Sequence, residues 1–313
     1  MPCEVKFLHS GTDDSRSSRS KAGLRNLPGL IGFQSRMKRS GTTEASETVS
    51  SSAPPSDYEL FAPTKRSASH NERASAVITK KTTIHPVVHV ESVEQVHADV
   101  AVLREFPVGT IFLIDHDSND ERLLSAVAEV VGRFPGLPVG LNFMRRSAGE
   151  SLVLLAERFD GTVPVADIWA DTAGIEAGRG KELANRLEVL RQETGWAGRQ
   201  FGGVAFKYQA PVAPEDLQHV AAEAARYIDI PTTSGAGTGK EPDLAKLQAM
   251  RAGLGNAPLA IASGVTAENV SRFTPYVDHI LVATGINNAH GRVDPQRLAS
   301  LLANIDAGAD IPS

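Results

Sequence analysis

The sequence predicts an α/β fold: a closed (β/α)8 barrel, the TIM-barrel architecture, over residues 83–313, preceded by a disordered serine-rich tail over residues 1–82. Three observations carry that prediction. Short apolar, β-branched runs alternate with helical patterns from Thr83 onward, which implies parallel strands covered by helices. Eight such pairs fit within residues 83–306, close to the length of a closed barrel. The main alternative, a doubly wound open sheet, would carry a glycine fingerprint after its first strand, whereas "HPVVHV" is followed by Glu91-Ser92.

The elements follow in order. "HPVVHV" (85–90) precedes a helical pattern running to Phe106, and "TIFLID" (110–115) precedes one near 119–134. "LPVGLNF" (137–143) leads to a helix near 148–158, and "VADIWAD" (165–171) to one near 180–193. In the second half, "GGVAFKY" (202–208) is followed by a helix near 213–226 and "YIDIPTT" (227–233) by one near 241–253. "APLAIAS" (257–263) introduces a helix near 266–273, and "DHILVAT" (278–284) one near 294–306. Several of these helices open on Ser, Thr or Asp, whose side chains cap exposed N–H groups, or on Pro, which fits the first turn.

Composition narrows the function classes. With 41% hydrophobic and 22% charged residues the chain has the make-up of an ordinary globular protein. No apolar run approaches the ~20 residues of a membrane span, so no integral membrane segment is expected. The single cysteine, Cys3, excludes an internal disulfide framework and a Cys-rich zinc site, and a cytoplasmic setting is expected. Charge is divided: residues 1–80 hold 12 basic and 8 acidic residues, against 20 and 29 beyond, so the two parts carry +4 and −9. A body this acidic is poorly suited to neutralising phosphates along a duplex, so nucleic acid is not an expected partner. A homo-oligomer is expected only by analogy with other barrels.

The first 80 residues contain 15 of the 25 serines, and their apolar residues are too scattered to offset the entropy of ordering. Seven basic residues and no acid lie between Ser15 and Thr43, as in an organellar transit peptide. Asp13-Asp14 and the lack of an amphipathic helical pattern favour instead a flexible tail or an upstream-extended start.

"IPTTSGAGTGKEPDL" (230–244) resembles a phosphate loop but fails its rule. Gly235 stands one residue too close to Gly239-Lys240, and Glu241 replaces the hydroxyl that would hold Mg²⁺. The dinucleotide pattern fails too, since the glycines fall at 235, 237 and 239. The stretch becomes a strand-end loop with backbone freedom.

In a barrel, chemistry gathers at the carboxyl ends of the strands. Those ends supply His89, Asp115, Asn142, Asp171, Lys207, the loop Thr233, Gly235, Thr238 and Gly239, then Ser263-Gly264 and Thr284-Gly285. "IASGVTAENV" (261–270) and "ILVATGIN" (280–287) each pair a strand with a hydroxyl–glycine turn, the recurrent place for phosphate in this fold; tight turns alone would also call for the glycines. Lys207 ends an apolar stretch and is a candidate to bind an anion or act as an amine nucleophile, although a rim lysine would look the same. Asp115 and Asp171 are candidate acid and base, with loop capping as the plain alternative. His85 and His89 share a strand face, but two histidines without a third ligand do not make a metal site, and neither metal nor cofactor is expected. Trp169 reads as core or pocket wall.

Six segments together resemble the BtpA family of TIM-barrel proteins over roughly residues 85–306: "VVHV" (87–90), "PVGLNFMRRSAGESLVLLAE" (138–157), "DTAGIEAGRGKELANRLEVLR" (171–191), "FKYQAPV" (206–212), "TSGAGTGKEPDLAKL" (233–247) and "ASGVTAENV" (262–270). The chain departs from that pattern at Asp115-His116, where the family usually has Glu-Asn, at Tyr208, where it has His, and at Arg146-Ser147, where it has Asn-Asp. The resemblance implies one of two roles: an enzyme of sugar-phosphate or nucleoside type, or an assembly factor of the photosystem I biogenesis kind. The expectation taken is an enzyme, an isomerase, lyase or glycosidic-bond-cleaving enzyme, acting on a small phosphorylated substrate. Ser263, Gly264, Thr284 and Gly285 would hold the phosphate, Gly235 to Gly239 would close over it, Lys207 would stabilise negative charge, Asp115 and Asp171 would exchange protons, and Asn142 would orient a hydroxyl.

Overall fold

A computed structural model of the chain describes residues 82–308. The tail expected over 1–82 lies, apart from Thr82, outside the described residues. The rest forms a closed eight-stranded parallel barrel in which each strand pairs with its sequence neighbours and β8 pairs with β1. The strands are β1 Thr83–His89, β2 Ile111–Ile114, β3 Val139–Asn142, β4 Asp167–Ala170, β5 Arg199–Gly203, β6 Ile230–Ser234, β7 Ala260–Ala262 and β8 His279–Val282. Helices α1 Val93–Leu103, α2 Asp120–Arg133, α3 Ala148–Arg158, α4 Gly180–Thr194, α5 Leu217–Ala224, α6 Leu244–Leu254 and α7 Pro295–Gly308 return the chain.

Capping follows the sequence. Ser92, Asn119 and Asp243 each accept a backbone N–H at the start of α1, α2 and α6, and Ser147 forms a reciprocal capping box with Glu150 at α3. Two expected elements differ. The helix near 266–273 is reduced to a single 3₁₀ turn, Val270–Arg272, because Asn269 spends its side chain on the loop: it accepts from Thr266 N–H and donates to Gly264 C=O. The fifth strand, expected at 202–208, is observed at Arg199–Gly203, so Lys207 lies on the loop beyond it.

Strand residues alternate between two apolar bodies. One lies between sheet and helices; the other fills the barrel with Val87, Phe112, Ile114, Trp169, Phe201, Ile230, Ala260 and Leu281 among others. The interior is largely aromatic. Phe112 meets Phe201 edge-on at 5.1 Å and Trp169 at 6.1 Å, in the tilted geometries that aromatic quadrupoles favour. Gly140 makes room for Phe112: a Cβ there would lie 2.6 Å from the ring. At the amino-terminal end of the barrel, Asp167 accepts from Arg199 Nε and Nη2, and His85 shares a hydrogen bond with His279 at 3.1 Å.

Burial, aided by neighbouring His279 and opposed by Asp167, lowers the His85 pKa from 6.5 to about 3. An unfolded chain therefore takes up this proton at a higher pH than the folded one, and the stability that neutral His85 contributes is lost as pH falls from 6.5 toward 3. Urea unfolding should show stability decreasing across the acid side of that window, with the His85 ring resonances at their neutral positions at pH 5. Two glycines should respond oppositely to Ala. At Gly203 a Cβ would lie 1.8 Å from Asp171 O, so Gly203→Ala should cost about 1–3 kcal/mol in urea unfolding. At Gly132, inside α2 with open space around it, Gly132→Ala should add about 0.5–1 kcal/mol.

Candidate functional site at the carboxyl rim

The carboxyl ends of the strands meet around a small cavity lined by His89, His116, Trp169, Lys207, Thr238, Gly239, Ser263, Gly264 and Thr284. Its volume is about 50 Å³, room for about four waters at roughly 10–15 Å³ each. Lys207 forms part of its wall. Its ammonium donates to Ser263 Oγ at 3.0 Å and to Thr238 Oγ1 at 3.4 Å, while its backbone N–H donates to Ser234 Oγ at 2.8 Å. The loops after β5, β6 and β7 are thereby joined through one side chain. Burial lowers the Lys207 pKa, with Asp171 and Tyr208 acting in the other direction.

Asp171, just beyond β4, lies outside the cavity lining but close enough to this lysine for the two charges to interact. Its pKa is raised by burial, against the opposing effects of the Asn142 hydrogen bond and the Lys207 charge. Asn142 donates to Asp171 Oδ1 at 2.8 Å and accepts from Met144 N–H at 2.6 Å, which fixes its amide orientation. A carboxyl shifted up and an amine shifted down by a shared dry environment make a natural pair for proton exchange. His89, at the end of β1, meets His116 at 3.3 Å; burial first, then His116 and Lys207, lower its pKa to about 4. It is a neutral hydrogen-bonding group at physiological pH. The indole N–H of Trp169 is buried in the cavity wall and has no acceptor among the described residues.

Asp115 behaves differently from the proton exchanger expected of it. Arg122 grips both its oxygens, with Nη2–Oδ1 at 2.7 Å, and Asp117 N–H donates to Oδ1 at 2.9 Å. Burial disfavours its charge, but these hydrogen bonds outweigh that and hold its pKa below the usual range. The carboxylate braces the loop after β2. Thr233 likewise turns away from a ligand role, donating to Ala205 C=O at 3.1 Å from a fully buried position.

The glycines have a packing reason of their own. A Cβ on Gly264 would lie 2.3 Å from the backbone at Lys240–Glu241, one on Gly285 would lie 1.9 Å from Val265 O, and one on Gly235 would lie 2.1 Å from Lys240 O. Loops six, seven and eight thus touch backbone to backbone. Gly239 is free of such contact and has φ +72°. Ser263 holds the left-handed φ of +87°, which directs its hydroxyl to Lys207. Thr284 opens a 3₁₀ turn, Thr284–Ile286, at the rim.

Sequence reasoning did not place three participants among the site residues. Tyr208, 79% exposed, shares a hydrogen bond with Thr238 Oγ1 at 3.2 Å and accepts from Thr238 N–H at 3.3 Å. Lys246 reaches from α6 to the carbonyls of Ser234, at 2.9 Å, and of Ala205. Gln209 donates to the Asp171 carbonyl. The adjacency of Tyr208 and Gln209 to Lys207 was the available signal; Lys246 read as an ordinary helix-surface lysine.

Among the described residues no helix is long and apolar enough to cross a membrane. By fold the chain is similar to the native KDPGal structure, 13% identical over 73% of this chain and 96% of that one, TM-score 0.50. It is equally similar to a monomeric form of the dimeric phosphoribosylanthranilate isomerase of Thermotoga maritima, 12% identical over 72% and 99%, TM-score 0.50. At such identities the likeness is one of fold. In sequence it is 22% identical over 200 residues to the photosystem I biogenesis protein BtpA of Synechocystis sp., covering 60% of this chain and 68% of that protein. The model of the BtpA family matches residues 69–307, and the chain belongs to that family.

Proposed function

We propose that the protein is an enzyme acting on a small phosphorylated metabolite, a sugar phosphate or phosphoribosyl compound, bound at the carboxyl rim of the barrel. The observation that carries this reading is the desolvated Lys207 ammonium, which donates to Ser263 and interacts with the charge of Asp171. Ser263 and Thr284, with Gly264 and Gly285 bringing their loops together, form the phosphate end, and the Gly235–Gly239 loop with Thr238 covers it. Lys207 stabilises negative charge as it develops, Asp171 holds and returns the proton, and Asn142 keeps Asp171 oriented. His89, on the cavity wall, offers a hydrogen bond to a substrate oxygen. Isomerisation, aldol-type cleavage and glycosidic cleavage all use this set. The barrel, residues 83–313, is the working domain, and its setting is the cytoplasm.

The name of the Synechocystis relative supports a second reading, a non-catalytic factor in assembling a larger complex. Such a factor needs a docking face, and the large apolar side chains standing exposed among the described residues are Val189 and Tyr208.

A thermal-shift titration of the full chain with inorganic phosphate and ribose 5-phosphate tests the proposal. Ligand at about 100 times Kd should add ~2.7 kcal/mol of stability. Lys207→Met should weaken binding by about 10- to 100-fold, the range for losing a charged hydrogen bond. Asp171→Asn should leave binding within about threefold, because its role lies in proton transfer rather than ground-state affinity. A correctly folded protein that responds to neither compound would favour the assembly reading, under which both variants should still function in cells.

A further inference from the structure

Beside the rim cavity lies a much larger one, of about 640 Å³, between the loops that follow β5 and β6 and the helices α5 and α6. Lys207 lines both. We infer that the ligand spans the two: its phosphate occupies the rim cavity, and an uncharged aromatic or heterocyclic ring attached to its sugar occupies the larger one. This rests on the phosphate reading above and names the substrate class within it, a phosphorylated sugar bearing a ring rather than a bare sugar phosphate.

Size supports the division. The rim cavity holds a group of phosphate dimensions, whereas the larger cavity falls in the ~300–1,000 Å³ range of small-molecule sites. Chemistry supports it too. Phe206, Ala210, Pro211, Val212, Leu217 and Ala249 form apolar walls in the larger cavity. Its charged groups are Glu241, which is paired with Arg272, Asp243 and Lys246, together with Lys207 on the side shared with the rim cavity. Lys246 is tied to the Ala205 and Ser234 carbonyls, and Asp243 caps α6. Away from Lys207 the larger cavity offers a phosphate two carboxylates and an ammonium already committed to carbonyls, so the anion is directed to the Lys207 side and an uncharged ring to the apolar walls.

The partition between the cavities is Lys207, which lines both, with Ala205, Phe206 and Tyr208 lining the larger one beside it. Ala205 and Tyr208 both hold left-handed backbone conformations, φ 46° and 64°, which set Lys207 between the cavities. A sugar lying along this partition passes beneath the Lys207 ammonium, with its two substituents falling on either side.

Isothermal titration of the full chain with inorganic phosphate, ribose 5-phosphate, adenosine, and adenosine and uridine 5′-monophosphates tests this. At least one monophosphate should bind about tenfold or more tightly than ribose 5-phosphate, the increment expected from burying a ring. Ala249→Phe, which fills the larger cavity, should abolish that increment and leave ribose 5-phosphate affinity within about twofold. Val212→Trp provides an independent filling if Ala249→Phe does not fold. Monophosphates binding no tighter than ribose 5-phosphate, or an increment that survives both fillings, would overturn the spanning ligand while leaving the phosphate site standing. Adenosine binding that is insensitive to phosphate and lost on filling would overturn it as well, since the cavities would then serve separate ligands. If neither phosphate nor ribose 5-phosphate binds, the phosphate reading itself falls.

Discussion

Everything at the rim depends on the closure of the sheet, the pairing of β8 with β1 in register from Thr83 against His279 to Pro86 against Val282. Closure removes both sheet edges and brings eight carboxyl ends into one ring. Residues separated by most of the domain's length, such as His89 and Thr284, thereby line one cavity. The aromatic interior supports that ring from below: Phe112, Phe201 and Trp169 fill the barrel so that the polar groups above them sit on a dry, rigid floor.

That floor explains the electrostatics. Asp171 and Lys207 are shifted in opposite directions by the same cause, removal from water, and each moderates the shift of the other. His89 stays neutral for the same reason. Asp115 shows the contrast: more hidden from solvent than the half-buried Asp171, it keeps its charge because Arg122 and Asp117 satisfy it. Hydrogen bonding, more than depth, separates a carboxyl available for proton exchange from one that braces a loop.

Much of this was legible in the sequence. Eight strands, their order and their parallel sense follow from the alternation of apolar runs and helices, because a parallel strand is buried on both faces. Strand ends were less legible. Val204, Ala205 and Phe206 continue the apolar run of β5 and are buried, yet they belong to the loop, and Ala205 leaves the extended conformation at φ 46°. Burial wrote the same signal there as a strand would. The helix expected near 266–273 shortened for another reason: Val270 and Phe273 are buried at helical spacing, but the side chain of Asn269 is spent on the loop before them. Lys246 was invisible, since only the approach of the loops after β5 and β6 turns a helix-surface lysine inward. The rim glycines were visible, but their reason was not: a turn and a close approach between distant loops leave the same residue.

Those close approaches bear on how such a protein can change over evolutionary time. Barrel enzymes diversify readily because each rim loop is commonly a separable module that can be lengthened or replaced alone. Here Gly264 and Gly285 lock three consecutive loops backbone to backbone, and Gly235 folds the first of them tightly on itself. A lengthening or exchange in one loop would displace the other two, so innovation in this half of the rim has to arise through side chains or through coordinated change, while the loops after β1 to β3 stand outside that lock.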